Sequence, residues 1–344
     1  MKYKLSILDQ SPIIPGTTAL DALQQTVKLA QKAEEWGYTR FWVSEHHHTD
    51  QLAGSSPEVL ISYILALTSS IRVGSGGVML QHYSPYKVAE NFHVLSNLAP
   101  GRVDLGIGKA PGGLPLSTKA LQYGTVNDGK DFPERLSFLK KLIENSVEEE
   151  HPLGGIQATP IPIEKPELFL LGASAKSAQL AASLGISYVF AKFITSDEKV
   201  LEEAANVYRQ GFPSGRFIVS VAAIAAPTQK EAEALVVNQK IVKVHLQSGR
   251  IVTVQTAEQA ELFGKQAGGS YEIKEQQADI TAGTPNYVKE VLEHLHQTYQ
   301  VDEFILHSPI QTKTERFRSF ELLSPLYRED VNGNITSKSV YIPN

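Results

Sequence analysis

A closed (β/α)8 TIM barrel is the fold class this sequence predicts, and three observations predict it. Strand-like and helix-like stretches alternate along almost the whole chain, and eight such pairs can be marked out. Repeated βα units imply a parallel sheet, because parallel neighbours need crossovers and those crossovers share one hand. The glycine fingerprint of an open, doubly wound sheet is also missing. Gly106-x-Gly108 has Pro111 where a third glycine belongs, and Gly74-x-Gly76 has Met79. A chain of 344 residues suits one such barrel with insertions, read as one domain over 1–344.

Tyr3 to Leu8 is the first strand, and Asp9-Gln10-Ser11-Pro12 turns the chain. Ala19 to Trp36 follows as a helix, with Leu20, Leu23, Val27, Ala30 and Ala33 recurring on one face. Gly37 stops it in the position that favours a left-handed residue. Arg40 to Val43 is strand two. Ser56-Pro57 starts the next helix, Ile71 to Leu80 is strand three, and Pro85 opens a helix to Leu98. Arg102 to Ile107 is strand four. The Gly/Pro-rich passage from Gly108 to Gly129 is too long for a plain barrel connection and reads as a functional insertion.

Pro133 to Val147 is helical, and Glu148 to Pro166 is an irregular crossover. Strands then fall at Leu168 to Leu171, Ser187 to Ala191 and Phe217 to Ala225. The helices after them run over Ala175 to Leu184, Ser196 to Gln210 and Gln229 to Leu246. The polar stretch from Gln247 to Ala282 reads as an insertion or lid between strands seven and eight. Thr284-Pro285 caps a helix to Tyr299, Phe304 to His307 is strand eight, and Thr312 to Leu326 is the last helix.

The composition excludes several functions. A net charge of -5 leaves no basic footprint for nucleic acid. The absence of cysteine removes disulfides, thiolate nucleophiles and cysteine-bound metals, and it fits a reducing cytoplasm. No run approaches the roughly 18–20 apolar residues of a membrane helix. The start, MKYKLSILDQSPI, meets charge too early for a secretory signal.

Four stretches carry the chemistry. Glu45-His46-His47-His48 follows the buried run Phe41-Trp42-Val43, so it stands at the C-terminal end of a barrel strand, where a neutral imidazole can exchange protons near pH 7. The alternative is a solvated loop. Consecutive histidines point in different directions and no H-E-x-x-H occurs, so no metal is expected. Gly74, Gly76 and Gly77 in strand three point to a bulge, a packing bend or close approach of a flat ligand. Lys109 ends strand four with a cation suited to phosphate. Leu171-Gly172-Ala173-Ser174-Ala175-Lys176-Ser177 leads a strand straight into a helix, whose N-terminus favours an anion; the plainer reading is a serine cap. A barrel gathers these on one rim, and together they suggest a flavin mononucleotide.

WGYTRFWVSEHH, IRVGSGGVMLQHYSPYKVAENFHVLSNLAPGRVDLGIGKAPGG, LLGASAKSAQLAASLG and the terminal GTPNYVKEVLEHL and VDEFILHSPI resemble the bacterial luciferase-like flavin-dependent monooxygenases. The likeness runs from Leu5 to Leu326 and is weakest in the second insertion. It implies a barrel that binds reduced FMN at its rim and uses molecular oxygen to oxygenate a small organic substrate. A separate NAD(P)H-dependent reductase would supply the flavin. By position, His46 is the implied catalytic residue. Glu45, Gly76, Gly77, Lys109, Ser174, Ser177 and Ala191 are the implied flavin-binding set, with a cis peptide joining Gly76 to Gly77. Many relatives carry arginine at Lys109, and the luciferase cysteine is absent, which argues against light emission. Pro57 to Ser69 and Pro85 to Leu98 match the family's dimer-forming face. A deazaflavin-dependent oxidoreductase and a non-catalytic flavin-binding protein are the competing readings.

Overall fold

A computed structural model describes residues 2–125, 127–195, 197–236, 240–254, 256–325, 327–329 and 335–336. Seven strands come first: β1 (Lys4–Asp9), β2 (Arg40–Val43), β3 (Arg72–Met79), β4 (Val103–Gly108), β5 (Glu167–Gly172), β6 (Ser187–Ala191) and β7 (Phe217–Ala225). A small antiparallel sheet of β8 (Lys240–Leu246), β9 (Ile251–Val254) and β10 (Tyr271–Gln277) follows, then β11 (Ile280–Gly283) and β12 (Glu303–His307). β1 to β7 and β12 pair in parallel, and pairing of β6 with β7 closes these eight into a barrel. β11 adds to β7 beyond the point where β6 ends.

The helices are α1 (Ala19–Glu35), α2 (Pro57–Ala66), α3 (Pro85–Leu98), α4 (Pro115–Leu121), α5 (Phe132–Glu144) and α6 (Ala175–Ser183). They continue with α7 (Glu198–Gly211), α8 (Gln229–Val236), α9 (Ala257–Ala267), α10 (Pro285–Tyr299) and α11 (Lys313–Leu323). Their starts follow the sequence chemistry. Thr18 and Asp21 form a reciprocal capping box on α1, Ser174 and Thr284 cap α6 and α10, and prolines open α2, α3 and α10. Gly37 takes a φ of 79° after α1, as the sequence anticipates.

Two expectations need correction. The stretch read as one helix from Gln229 to Leu246 is α8 followed by strand β8. Ile241-Val242-Lys243-Val244-His245-Leu246 has β-branched residues and a period near two, which a helix cannot bury on one side. The insertion therefore begins earlier than Gln247, and its last part, β11, belongs to the main sheet. On α1 the buried stripe is Ala22, Thr26, Leu29, Ala30 and Ala33, while Leu20 is exposed. The anticipated helix limits at Ser196 and Leu326 lie outside the described residues.

Side chains alternate across each strand, so the barrel interior is built in layers two residues apart. Leu8, Trp42, Phe169, Val189, Ile218 and Ile305 form a separate apolar cluster at mid-height. Two residues earlier on those strands stand Ser6, Arg40, Glu167, Arg216 and Glu303, joined by Arg72 and Asp104 from β3 and β4. These make an ion cluster at the N-terminal end. Arg40, 1% exposed, meets Asp104 at 2.9 Å, Glu303 at 2.8 Å and Glu167 at 3.2 Å. Two residues later stand Ser44, Gly76, Leu171, Ala191, Ser220 and His307. The barrel is thus charged at the bottom, apolar at mid-height, and lined mainly by small residues at the C-terminal rim.

Candidate active site

The rim is shaped first by what is missing from it. A Cβ on Gly76 would lie 2.7 Å from Leu8 Cδ1 and 3.2 Å from the Trp42 ring, and one on Gly77 would lie 2.8 Å from the Gly106 carbonyl oxygen. The peptide joining Gly76 and Gly77 is cis. The β3–β4 register shifts between Ser75 and Val78, which is the irregularity the glycines foreshadowed. Backbone replaces side chains here, packed directly against Leu8, Trp42 and Gly106.

The loop after β2 supplies the ionisable groups. Glu45 is 1% exposed, and its carboxylate is fully engaged inside the chain. One oxygen accepts from the Tyr83 hydroxyl and from His47 Nε2, both at 2.7 Å, and the other accepts the Met79 amide at 3.0 Å. Those bonds tie the β2 loop to the end of β3. The His47 amide donates to the Gly112 carbonyl at 2.7 Å, which ties the same loop to the passage after β4. His48 is exposed, with a φ of 55°.

His46 is held by its amide bond to the Gly54 carbonyl at 2.8 Å and by Nδ1 against Ser44 Oγ at 3.0 Å. Burial, with the neighbouring His47, pushes its pKa down to about 4, against some opposition from Glu45. The imidazole is therefore neutral at pH 7. With Nδ1 engaged by Ser44, Nε2 makes no hydrogen bond among the described residues.

Lys109 and the start of α6 occupy neighbouring ground. β4 and β5 pair Ile107 with Leu170, and continuing that register sets Lys109 level with Gly172. The exposed ammonium lies over the Phe132 ring at 5.7 Å, with no carboxylate partner among the described residues. Ser174 caps α6 by accepting the Ser177 amide at 3.3 Å. Ser177 Oγ lies 2.8 Å from both the Ser174 carbonyl and the Tyr188 hydroxyl. Ala191 ends β6, buried and paired in register with Ser220.

Sequence reading missed His307. It ends β12 as Glu45-His46 ends β2, and its register partners are Leu8 and Ala222. Nδ1 is buried without a partner, and the ring lies tilted against Phe193 at 5.4 Å. Burial, then the Arg316 guanidinium and His46, lower its pKa to about 3. The signal was present only as the apolar run Phe304-Ile305-Leu306 closing on a histidine, without the polar cluster that follows Val43. Tyr83, which fixes Glu45, carried no such mark. No three histidine or acidic side chains converge as a metal site among the described residues. A cavity of about 470 Å³ between α7, α8, α10 and β11 holds none of the anticipated site residues.

Comparison with known proteins identifies the family and the fold. The family model for luciferase-like monooxygenases matches residues 1–300. The N-acetyl-S-alkylcysteine monooxygenase of Bacillus subtilis is 49% identical, over 93% of this chain and 97% of that one. Among solved structures, apo-MsnO8 has a TM-score of 0.75 and 34% identity, covering 93% of this chain and 97% of its own. Two more distant structures share the fold. The oxygenating constituent of 3,6-diketocamphane monooxygenase from Pseudomonas putida, in complex with FMN, has 20% identity and a TM-score of 0.69, over 94% and 97% of the two chains. An F420-dependent secondary alcohol dehydrogenase has 17% identity and a TM-score of 0.66, over 94% and 99%. With a rim of backbone and small side chains, a neutral imidazole and a serine-capped helix start, on a barrel that the family model matches over most of its length, this chain belongs to the luciferase-like monooxygenase family.

Proposed function

We propose that the protein is an FMN-dependent, two-component monooxygenase of the cytoplasm, which receives reduced FMN from a separate NAD(P)H-dependent reductase. The observation that carries this reading is the gathering of Gly76-Gly77, His46 and the Lys109–α6 corner on one barrel rim. The residues present fit the group. A Cβ at Gly76 or Gly77 would strike Leu8, Trp42 or the Gly106 backbone, so β3 stays bare backbone here, which supports close approach of a flat ring system. The free amides at the start of α6, with Ser174, Ser177 and Lys109, suit a phosphate, since a helix N-terminus and an unpaired ammonium both favour an anion. Ala191 offers backbone at the end of β6.

Reduced FMN, when bound, supplies the two electrons that let oxygen deliver one atom to the substrate. The chain does the rest. Trp42 and Leu8 floor the site and exclude water from below. Glu45 holds the β2 loop through His47, Tyr83 and the Met79 amide, so His46 is set by a fixed frame. His46, neutral and with Nε2 available, takes up or returns a proton beside the reacting atoms.

The 49% identical relative suggests the substrate class: an N-acetylated, S-alkylated cysteine. A homodimer through α2 and α3 belongs to the same reading. Val59 and Tyr63 on α2, Leu67 just after it, and Val94 and Leu98 on α3 are exposed apolar residues at helical spacing.

Anaerobic titration with reduced FMN, then admission of oxygen with N-acetyl-S-methylcysteine, tests the proposal. Tight binding of reduced FMN and substrate-dependent oxygen uptake are expected. Binding of a reduced deazaflavin with none of reduced FMN would overturn it. Binding without any turnover across a panel of such thioethers would support a flavin-binding protein instead.

A further inference from the structure

The insertion carries a charge that no acid among the described residues answers. β8, β9 and β10 turn Val242, Val244, Leu246, Val252, Val254, Tyr271 and Ile273 to one face, which packs on Ala260 and Phe263 of α9 and on Leu114 from the passage after β4. The Leu116 amide, at the start of α4, donates to Gln266 Oε1 of α9 at 2.9 Å. The same passage holds the rim, because the Ala110, Pro111 and Gly112 carbonyls bond Gln81, His82 and the His47 amide. The small sheet is therefore fixed to the wall of the candidate active site.

Register places Arg250 on that packed face. Val244 pairs with Val252 and His245 with Ile251, so Arg250 falls opposite Leu246, whose amide bonds its carbonyl at 2.9 Å. Alternation gives Arg250 the same side as Val252 and Leu246, at the hairpin end, one residue after Gly249. The other charges of the same alternation, Lys240 and Glu275, satisfy each other at 3.0 Å at the far end. Arg250 has no ion pair and no side-chain hydrogen bond among the described residues. The residue is exposed overall, yet neighbouring atoms strip enough water from the guanidinium to lower its pKa, and its positive field reaches His82.

An unpaired, partly desolvated guanidinium has a strong preference for a planar anion, which it binds through two parallel hydrogen bonds. The acid nearest the rim cannot serve, since Glu45 already accepts from three donors. Lys109, also without an ion pair among the described residues, stands at the α6 corner. We propose that Arg250 is the specificity residue that binds a carboxylate of the substrate, selecting an organic acid over its neutral analogues. The assignment rests on the monooxygenase reading and gives it a substrate charge.

The test uses the full chain loaded with FMN, the binding of which is followed by flavin fluorescence. N-acetyl-S-benzylcysteine and its carboxamide, which differ only in the carboxylate, are titrated calorimetrically into wild type, Arg250→Gln and Arg250→Lys. Wild type is expected to prefer the acid at least tenfold. Arg250→Gln loses that preference while binding the amide as wild type does, and Arg250→Lys keeps part of it. Equal affinity for acid and amide in wild type, or an undiminished preference in Arg250→Gln, overturns the assignment of Arg250 alone. If FMN binds and neither compound does, the cysteine-conjugate class falls and the assignment with it. Failure of FMN itself to bind is seen separately and overturns the proposed function.

Discussion

His46 and His307 are two imidazoles that the fold keeps neutral, and each has a kinetic or thermodynamic signature. Among the described residues His46 hydrogen-bonds the frame of the site through Ser44 and one amide, so its removal should spare binding. His46→Ala is expected to hold FMN within about threefold of wild type while turnover falls about 10²- to 10⁴-fold. Stopped-flow binding and oxygen uptake separate the two, and a collapse of binding would make the histidine structural. Acid stability follows from the same depressed values. An unfolded histidine titrates near 6.5, so between pH 6.5 and about 4 for His46, or about 3 for His307, the unfolded chain takes a proton that the fold refuses. Stability is thus flat above that window and declines as pH falls through it. Measured against wild type, His307→Asn should gain about 1–2 kcal/mol between pH 7.5 and pH 5, because it lacks this loss. Identical pH slopes for the variant and wild type in urea melts would rule this out. In the sequence His46 was readable because charge followed a buried strand abruptly. His307 ended its strand with no polar cluster behind it, and only barrel closure brings it within reach of His46.

At the scale of elements, the βα pairs were legible because each strand and helix carries its own period. The failure at Gln229 to Leu246 is instructive. Ala232, Leu235 and Val236 keep a helical spacing, and two residues inside β8, Ile241 and Val242, mimic its continuation until Val244 and Leu246 restore alternation. The barrel floor was not legible at all. Arg40, Arg72, Glu167 and Glu303 stand at the first position of their strands, where a charged residue ordinarily meets water. Closure converts those separate ends into one cluster around Arg40. Removing one member strands buried charges, so Arg40→Met should destabilise the fold by about 3–5 kcal/mol. A shift of under about 1 kcal/mol in urea denaturation would show that Asp104 and Glu303 find other partners. FMN affinity should survive in whatever fraction stays folded, since the apolar layer separates the floor from the rim.

For the whole molecule, the exposed apolar residues of α2 and α3 are the surface on which the proposed homodimer is tested. Tyr63 is 61% exposed and Leu98 70%, on neighbouring helices that are otherwise anchored by Ile61, Ile64, Phe92 and Leu95. The pair Tyr63→Glu and Leu98→Glu is expected to turn a dimer into a monomer in sedimentation equilibrium. A wild-type chain that sediments as a monomer at micromolar concentration would remove the dimer from the proposed function. Among the described residues no helix is long and apolar enough to cross a membrane, so a bilayer span does not explain this patch.

β11 returns the chain to β7 almost where it left. Ala225 pairs with Gly283, and the Ala226 amide donates to the Gly283 carbonyl at 3.1 Å, so the whole excursion between them starts and ends at one clamp. A segment fastened in this way can be traded like a cassette. Evolution or an engineer could exchange the hairpin bearing Arg250 for another of different length or charge without reopening the barrel wall or disturbing the flavin corner. New substrate ranges on this scaffold would then arise by replacement of one loop, with the oxygen chemistry inherited intact.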